Sequence, residues 1–587
     1  MAVLDWAVVG GFLLALVIVG LLLRPRASDS LEDFFISGRK LPWWLAGTSI
    51  LATSFSSDTP LIYTRVIRED GLSGAWFYWN GVISGLIVAF FFARMWRRAG
   101  VITDAELIEL RYSGRPAAVL RGCIALFRSV VLELITLSWV ILGMTKIVCT
   151  VLDLPPELDL PFLGRVGVDL AVVLTLVTVA LVYSTASGLW GVVVTDLIEF
   201  IVAIGGAVLL AVLAMRKVGG VQGLRQGLAH SALGQGALDF LPDPSAMQVP
   251  AVAMVVYLGI QWWANTEIDG SGKRAQRFLA CKDERNALVS GIWNMAVQWI
   301  IRSWPWYLAA IASVVIYPQL SDHETAYPRL IVDLVPVGFK GLIVASFLAA
   351  FLSTIDSQLN LSASYLVNDI YQRFWAPGRG PRHYVRVSRI ATIVVAVVAT
   401  SLALGLPSVL DAFRFKMELM AGLGLVYVLR WFWWRVTAWS ELVALISGVL
   451  TALLLNVWSP FGGVAGGAES FAWRLIIIVA VATCSALLAT VMVTPEPMDR
   501  LREFYQRIRP PALLWGPVAR LESTSVPSTI GPSTLIQYFL ALIAVFAGMF
   551  GLGKLLLGQP SLGLGLALLS VITGGAMLWW TLGARSS

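Results

Sequence analysis

Long apolar runs recur along almost the whole of this 587-residue chain, separated by short polar and charged stretches. Runs such as 3–23, 192–215 and 475–493 approach the roughly 20 residues that an α-helix needs to cross about 30 Å of hydrocarbon. The pattern therefore predicts an all-α integral membrane protein with about fifteen spanning helices. The predicted spans are 3–23, 41–66, 73–95, 118–149, 167–186, 190–215, 249–270, 287–317, 336–370, 385–405, 408–433, 437–457, 471–493, 533–557 and 561–583.

Two of these apolar segments are interrupted by polar residues in comparable ways. In the second segment, the apolar run Leu45–Ala52 gives way to Thr53–Pro60 before apolar character returns. In the seventh, Val252–Ala264 gives way to Asn265–Gly272. Paired interruptions are typical of transporters whose broken helices form a binding site at the membrane midplane. Re-entrant structural loops also contain irregular backbone, so both interpretations stay open.

A face that carries oxygen atoms crosses the ninth predicted helix. Ser353, Asp356, Ser357 and Asn360 follow the i, i+3, i+4, i+7 spacing that places side chains on one side of a helix. Hard oxygen ligands suit a hard cation. The alternative is a hydrogen-bonded contact between helices, because Ser and Thr commonly bond across membrane helices.

Further charged residues lie within predicted spans. Asp196 and Glu199 in the sixth span indicate a second ion site, a proton relay or one half of an internal salt bridge. For most of the other charges at membrane depth we expect mutual pairing in preference to contact with a solute, because an unpaired charge there is costly. These are Arg128, Glu133, Lys146, Arg302, Asp411, Arg414, Lys416 and Glu418.

Composition supports the membrane assignment and excludes several classes of protein. The chain is 58% hydrophobic and 13% charged, whereas a soluble domain is about a quarter charged. The net charge of +7 arises from Lys and Arg in loops on one side of the membrane, so we expect no nucleic-acid partner. The four cysteines are scattered, which indicates neither a disulfide framework nor a zinc site.

Loop charge also predicts the orientation. Cation-rich loops alternate with cation-poor ones, which places the N-terminus outside and the C-terminus in the cytoplasm. Tryptophans beside arginines, such as Trp431 next to Arg430, are expected in an interfacial belt. The first apolar run is too long for a typical secretion signal, so we expect it to be retained as a helix. No nucleophile–base or metal constellation is evident, so we expect a protein that is not an enzyme.

The predicted organisation has five parts. The fourth is the long polar stretch of the chain, in which a helix is expected around 498–509. The five parts are an N-terminal helix and loop (1–40), a transport core (41–435), two peripheral helices (436–493), a cytoplasmic linker (494–532) and two C-terminal helices (533–587).

An ordered set of motifs resembles the sodium:solute symporter family, which includes the sodium/glucose, sodium/proline and sodium/iodide symporters. The resemblance covers about residues 30–435 and implies a LeuT-type five-plus-five inverted-repeat core with extra helices at both ends. The motifs are Leu31–Arg39 with Leu41–Trp44, Thr103–Tyr112, Thr195-Asp196, Gln276-Arg277, Ser353–Asn360 and Asn368–Tyr371.

The resemblance also implies positions for ions. The main sodium site would use the carbonyls of Ala52, Phe55 and Ala350 and the hydroxyls of Ser353 and Thr354. A second ion would fall at Asp196, Asp356 and Ser357, although an aspartate replaces the family's hydroxyl at 356.

The positions for the solute depart from the best-known members. Thr59 and Tyr78 do not retain the side chains that hold sugar in the glucose-type members, and Ser54 stands where the proline-type members carry an aspartate. The residues expected to touch the solute are Ser54, Ser56, Thr59, Trp79, Asn80, Gln261, Trp262 and Asn265.

These observations predict a symporter that couples entry of a small polar organic solute to sodium by alternating access. Sodium is the expected coupling ion, no other cofactor is expected, and a plasma or bacterial inner membrane is the expected location. One alternative is a proton-coupled carrier that uses Asp196 or Asp356. Another is a solute sensor that has lost transport, although the predicted linker is too short for a signalling domain.

Overall fold

The computed structural model describes residues 1–23, 39–101, 105–160, 164–183, 189–242, 249–462, 466–522 and 530–583. Within these ranges the chain is almost entirely helical, with one antiparallel hairpin between β1 (Glu157–Leu160) and β2 (Gly164–Gly167). The predicted all-α fold is confirmed. Residues 31–38 and 103–104 of the family-like motifs lie outside the described ranges.

The helices are numbered α1 to α23 in chain order. Those of the first half are α1 (Val3–Leu23), α2 (Trp43–Thr53), α3 (Thr59–Asp70), α4 (Leu72–Ala99), α5 (Glu106–Arg111), α6 (Gly114–Leu152), α7 (Val168–Tyr183), α8 (Leu189–Lys217), α9 (Gly220–Ala229), α10 (Ala251–Gln261) and α11 (Lys273–Ala280). The remaining ones are α12 (Glu284–Ile316), α13 (Ala326–Leu334), α14 (Phe339–Trp375), α15 (Pro381–Gly405), α16 (Val409–Ala421), α17 (Gly424–Phe432), α18 (Ala438–Trp458), α19 (Gly467–Met492), α20 (Met498–Ile508), α21 (Gly516–Leu521), α22 (Pro532–Leu556) and α23 (Pro560–Gly583). Short 3₁₀ turns lie at Gln235–Leu238, His323–Thr325 and Ala512–Leu514.

Each predicted span coincides with a helix or with a pair of consecutive helices. Within the described ranges, 10 helices are long and apolar enough to cross a membrane, and shorter apolar helices lie at Val3–Leu16, Val168–Leu181 and Ala251–Gln261. The count of about fifteen spans stays a prediction, because the broken helices are too short to be counted by length and composition.

The first break, residues 54–58 between α2 and α3, has a local cause. The Ser54 hydroxyl donates to the Leu51 carbonyl over 2.7 Å and so competes with the helical backbone bonds. Pro60, which lies in the first turn of α3, has no N–H to bond back to residue 56. A new helix therefore starts at Thr59 instead of α2 continuing.

The second break, residues 262–272 between α10 and α11, is built from short polar side chains and glycines. Asn265 donates from Nδ2 to the Trp262 carbonyl over 3.1 Å and accepts at Oδ1 from the Glu267 amide over 2.9 Å. Gly270 and Gly272 have φ angles of 82° and 77°, a conformation that glycine adopts without steric cost.

The start of α17 lies directly against the second break. A Cβ atom at Gly424 would lie 2.0 Å from the Trp263 carbonyl oxygen and 2.7 Å from the Asn265 amide nitrogen. Only a glycine therefore permits this approach of two backbones.

The two ends of the bundle are held differently. At the end where Leu41 pairs with Cys281, which we call the Leu41 end, α2 begins and α11 ends. At the opposite end, called the Glu324 end, the buried Glu324 carboxylate accepts from the amides of Val409 and Leu410 over 3.0 and 3.1 Å.

Glu324 also forms ion pairs with two other helices. Its carboxylate lies 2.6 Å from Lys146 Nζ on α6 and 3.3 Å from Arg65 Nη1 on α3. Arg65 reaches Asp411 on α16 as well, again over 3.3 Å. These contacts, the Glu324 network, join α3, α6 and α16 at one end of the bundle.

The polar stretch after α19 folds against the Leu41 end. The expected helix is present as α20, which buries Leu501, Phe504 and Ile508. The buried Trp515 donates from Nε1 to the Trp431 carbonyl over 3.0 Å.

Helix α22 packs on the core through its small residues. Trp304 of α12 donates from Nε1 to the Met549 carbonyl over 2.9 Å, and a Cβ atom at Gly553 would lie 1.9 Å from the Trp304 ring. Helix α23 packs on α22 and exposes most of its large apolar side chains, as expected of a helix that faces lipid.

Candidate functional site

Arg302 of α12 holds the first break. Its Nη1 atom donates to the Leu51 carbonyl over 2.7 Å and to Ser54 Oγ over 3.0 Å. Its Nη2 atom donates to the Ser54 carbonyl over 3.2 Å. The end of α2 therefore has a fixed cation at its carbonyls, where the helix dipole favours positive charge.

The surroundings of Arg302 are aromatic. The side chain is 2% exposed, and its guanidinium carbon lies 5.1 Å from the centre of the Trp306 ring and 5.9 Å from that of Phe55. Arg302 ends a π-helical turn, Val297–Arg302, and such wide turns are common at functional sites. Among the described residues, no carboxylate lies within ion-pair distance of Arg302.

Two of the predicted sodium carbonyls belong to the same helix end. Ala52 is the second-last residue of α2, and its carbonyl accepts from the Phe55 amide over 2.9 Å. Phe55 lies just beyond the end of the helix. The Ser54 side chain is exposed, whereas those of Ser56, Ser57 and Asp58 are buried.

Helix α14 reaches the break through aromatic packing. The Phe55 ring lies 6.1 Å from that of Phe347, one turn before Ala350. Ala350 is buried, and Ser353 and Thr354 are half-buried on the following turn. Carbonyls of the break and hydroxyls of α14 are an oxygen set that fits sodium.

Asp196 of α8 connects these two helices. Its carboxylate accepts from Ser49 Oγ of α2 over 3.3 Å, and the Ser353 side chain of α14 lies close to it. Arg277 of α11 lies in the same cluster, 3.4 Å from Ser49 Oγ. Asp196 therefore lies behind the predicted main sodium site.

Asp356 and Asp196 of the predicted second ion site make hydrogen bonds to different residues. Asp356 accepts from Asn360 Nδ2 over 2.7 Å, on the same helix face, and Ser357 is half-buried beside it. The hydrogen bond of Asp196 goes to Ser49 of α2 instead. The grouping of Asp196, Asp356 and Ser357 around one ion stays a prediction.

Most of the predicted solute contacts line the two breaks. Ser54 binds Arg302, and Thr59 Oγ1 accepts from the Ser56 amide over 3.2 Å. Gln261 donates from Nε2 to the Phe77 carbonyl over 2.9 Å, which links α10 to α4. Asn265 and Trp262 are half-buried in the second break.

Trp79 and Asn80 are placed differently from the other predicted contacts. Trp79 is fully buried, donates from Nε1 to Tyr307 Oη over 3.0 Å and packs 5.3 Å from Phe550 of the peripheral helix α22. Asn80 donates to the Trp76 and Phe77 carbonyls of its own helix. The polar groups of both residues are therefore already occupied by protein.

Five buried polar atoms without a partner lie between the first break, α4 and the end of α10, and others are scattered over the rest of the described helices. In the described part of the chain, these atoms have no hydrogen bond to protein although water cannot reach them. Such groups are costly unless a ligand or water binds them. The five atoms at the breaks are Ser56 Oγ, Ser57 Oγ, Asp58 Oδ1, Tyr78 Oη and Gln261 Oε1.

Asp269 anchors the second break to α17. Its carboxylate accepts from Ser271 Oγ over 2.6 Å, from Trp431 Nε1 over 2.8 Å and from Arg430 Nε over 3.1 Å. Arg430 also lies 3.4 Å from Glu441 of α18. All these groups are buried. The interpretation of Trp431 as part of an interfacial belt was wrong, because its indole is inside this network.

Replacing Asp269 by asparagine is expected to lower the free energy of unfolding by about 3–5 kcal/mol, because Arg430 loses its main buried counter-charge. The midpoint of thermal unfolding in detergent measures this effect. Glu503→Gln, which breaks the exposed pair with Arg500, is the control and should cost less than about 1 kcal/mol. Equal midpoints for the two variants would contradict the anchoring role.

Known proteins similar to this chain agree in their description. A family model described as the sodium:solute symporter family matches residues 34–448. The sodium/glucose cotransporter of Vibrio parahaemolyticus is 26% identical over 74% of this chain and 81% of its own length. The sodium/sialic acid symporter of Proteus mirabilis is 26% identical over 79% of this chain and 92% of its own length.

A solved structure supports the fold. It is the substrate-bound outward-open state of a sodium-coupled sialic acid symporter, with a TM-score of 0.64 and 23% identity. The likeness covers 84% of this chain and 99% of that one, and it confirms the predicted LeuT-type core. With the match of the family model over more than half of its length, the chain belongs to the sodium:solute symporter family.

Proposed function

We propose that this sodium-coupled symporter binds its sodium ion between α2 and α14 and carries a small polar organic solute between the two breaks. The sodium ligands are the carbonyls of Ala52, Phe55 and Ala350 and the hydroxyls of Ser353 and Thr354. The observation that carries this proposal is the division of the carbonyls at the end of α2. Arg302 binds those of Leu51 and Ser54, and a mobile cation takes those of Phe55 and of Ala52, whose oxygen also accepts from the Phe55 amide.

The solute site lies at the five unpartnered polar atoms of the first break, α4 and α10. Hydroxyl, carboxylate and amide groups from the first break, α4 and α10 offer hydrogen bonds to a solute there. The relatives named above carry glucose and sialic acid, both small and polar.

The two ends act as gates in this proposal. The Glu324 end faces outside and the Leu41 end faces the cytoplasm, because Arg97, Arg98, Arg111 and Lys282 cluster at the latter. Opening outwards requires the Glu324 network to break, and opening inwards requires α2 and α11 to move from α17. Sodium drives the exchange only if it binds the two states with different affinities.

Uptake into proteoliposomes tests the coupling. The purified protein is reconstituted and assayed with radiolabelled glucose, sialic acid and mixed amino acids. An inward sodium gradient is compared with a potassium gradient and with a pH gradient in sodium-free buffer. We expect a solute to accumulate above equilibrium only with the sodium gradient. Accumulation of that solute with the pH gradient alone would contradict sodium coupling and favour a proton carrier that uses Asp196 or Asp356.

A further inference from the structure

A buried carboxylate lies at the start of α3, beside the first break. Asp58 is 7% exposed, and its side chain lies against those of Ser56 and Trp139. A Cβ atom at Gly143 of α6 would lie 3.1 Å from the Asp58 Cα, so α3 and α6 are in contact here. One carboxylate oxygen, Oδ1, has no hydrogen-bond partner among the described atoms.

Asp58 has no cation in direct contact, although Lys273 acts on it from a greater distance, and its surroundings are rich in aromatic rings. In the described ranges, no Lys or Arg nitrogen lies within ion-pair distance of its carboxylate. The positive end of α3 stabilises the charge but leaves Oδ1 unbound. Trp139 packs 5.5 Å from Phe413, and Tyr78 stacks 4.3 Å from Tyr63. Carboxylates and aromatic faces together are what proteins use to bind organic cations.

A lysine lies on the other side of Trp139. Lys416 of α16 donates from Nζ to Thr136 Oγ1 over 2.8 Å, and Nζ lies 5.1 Å from the centre of the Trp139 ring. Among the described residues, no carboxylate lies within ion-pair distance of this ammonium group either.

Several charged groups surround Lys416, which is half-buried. Glu133 of α6 interacts electrostatically with Lys416, Lys273, Arg128 and Glu267, and Lys273 also acts on Asp58. Three cations therefore face three carboxylates. A solute without net charge keeps this balance, and its anionic group is stabilised beside Lys416.

Trp139 thus lies between the negatively charged Asp58 and the positively charged Lys416. Its side chain lies against Asp58, and its ring face lies under Lys416. A neutral sugar would leave Asp58 and Lys416 each without an ion-pair partner, which is costly for the buried carboxylate. A solute with one charge of each sign satisfies both.

We infer that the solute is a compact zwitterion, an amino-acid-like molecule whose ammonium group binds Asp58 and whose carboxylate binds Lys416. This inference rests on the proposed function and names its substrate class. Tyr78 Oη and Gln261 Oε1 bind further polar groups of the same molecule.

Ligand-induced stabilisation tests the inference with a graded series of small molecules. The probes are glycine, 3-aminopropionate, 4-aminobutyrate and 5-aminovalerate, which increase the separation of the two charges one carbon at a time. Butyrate and butylamine share the four-carbon skeleton but carry one charge each, and glucose is neutral. Thermal unfolding of the full chain in sodium chloride is followed for each probe.

We expect at least one zwitterion to raise the unfolding midpoint, while butyrate, butylamine and glucose at the same concentration do not. Asp58→Asn and Lys416→Met should each weaken the binding of that zwitterion at least about tenfold, because each removes a charged partner. Lys554→Met is the matched control, since this lysine also lies over an aromatic ring, Phe240, but far from the breaks. It should leave the affinity unchanged.

Two results would overturn the inference. One is stabilisation by glucose that is equal in the wild type and in both variants. The other is a response to sodium with no response to any zwitterion, which leaves the sodium coupling intact and removes this substrate class. An absent response to sodium itself would instead contradict the proposed function. If a variant fails to fold, the wild type decides the question: stabilisation by a zwitterion of the series but not by butyrate, butylamine or glucose supports the inference, and stabilisation by none of the zwitterions overturns it.

Discussion

Replacing Ser353 and Thr354 together by alanine is expected to abolish the sodium-specific stabilisation of the folded protein. The two hydroxyls supply side-chain oxygen to the ion, and alanine supplies none. Alanine also has the highest helix propensity, so α14 should still form and insert. At a sodium concentration about 100 times its dissociation constant, binding contributes about 2.7 kcal/mol to the free energy of unfolding, and the double variant loses this contribution.

The difference between unfolding midpoints in sodium chloride and potassium chloride measures this loss. Ser362→Ala is the matched control, because Ser362 is buried on the same helix and its hydroxyl has no partner among the described residues. The control should keep the full difference. An undiminished difference in the double variant would refute the assignment of these ligands.

Arg302→Gln is expected to weaken sodium binding by more than about tenfold and to destabilise the protein in potassium as well. The guanidinium holds two carbonyls at the end of α2, and each hydrogen bond to a charged group contributes about 1.5–3 kcal/mol. Without it, the carbonyls of Ala52 and Phe55 lose their fixed direction. Arg302→Lys should bind sodium more tightly than Arg302→Gln but more weakly than the wild type, because an ammonium group lacks the planar fork that spans both carbonyls.

Arg474→Gln separates this positioning role from general destabilisation. Arg474 is also fully buried, but it lies on the peripheral helix α19 and pairs with Glu418 of α16. The control should lower the unfolding midpoint in potassium and leave the sodium affinity unchanged. If both variants lose sodium affinity equally, Arg302 has no specific role at the first break.

The two breaks were predictable because their causes are local. Ser54 and Pro60 interrupt the first helix within a few residues, and Asn265 and Gly270 do the same in the second. Such signals are visible in a short window of sequence. The paired interruptions therefore indicate two broken helices directly, and the family-like motifs supply the LeuT-type arrangement around them.

The residues that hold the breaks were not predictable in the same way. Arg302 is 251 positions from Leu51, and Arg430 is 161 positions from Asp269. Helical spacing shows which face a residue occupies but not which helix that face meets. Arg302 was visible only as a charge at membrane depth, for which mutual pairing with an acid was the general expectation.

Trp79 and Asn80 illustrate a related limit. An indole and an amide after the first break have the chemistry of solute contacts. Whether they face the solute depends on how α4 is oriented about its own axis. In the structure, α22 covers Trp79. The sequence of α4 contains no information on Phe550, the residue of α22 that packs there from far along the chain.

Binding of radiolabelled sodium to the purified protein tests the central claim most directly. The wild type and the Ser353/Thr354 double-alanine variant are titrated in detergent, with unlabelled sodium, potassium or choline as competitor at matched ionic strength. We predict saturable binding to the wild type that sodium displaces and potassium and choline do not, and no such binding to the folded variant. Equal sodium binding to both proteins, or none to a folded wild type, would contradict a sodium site between α2 and α14.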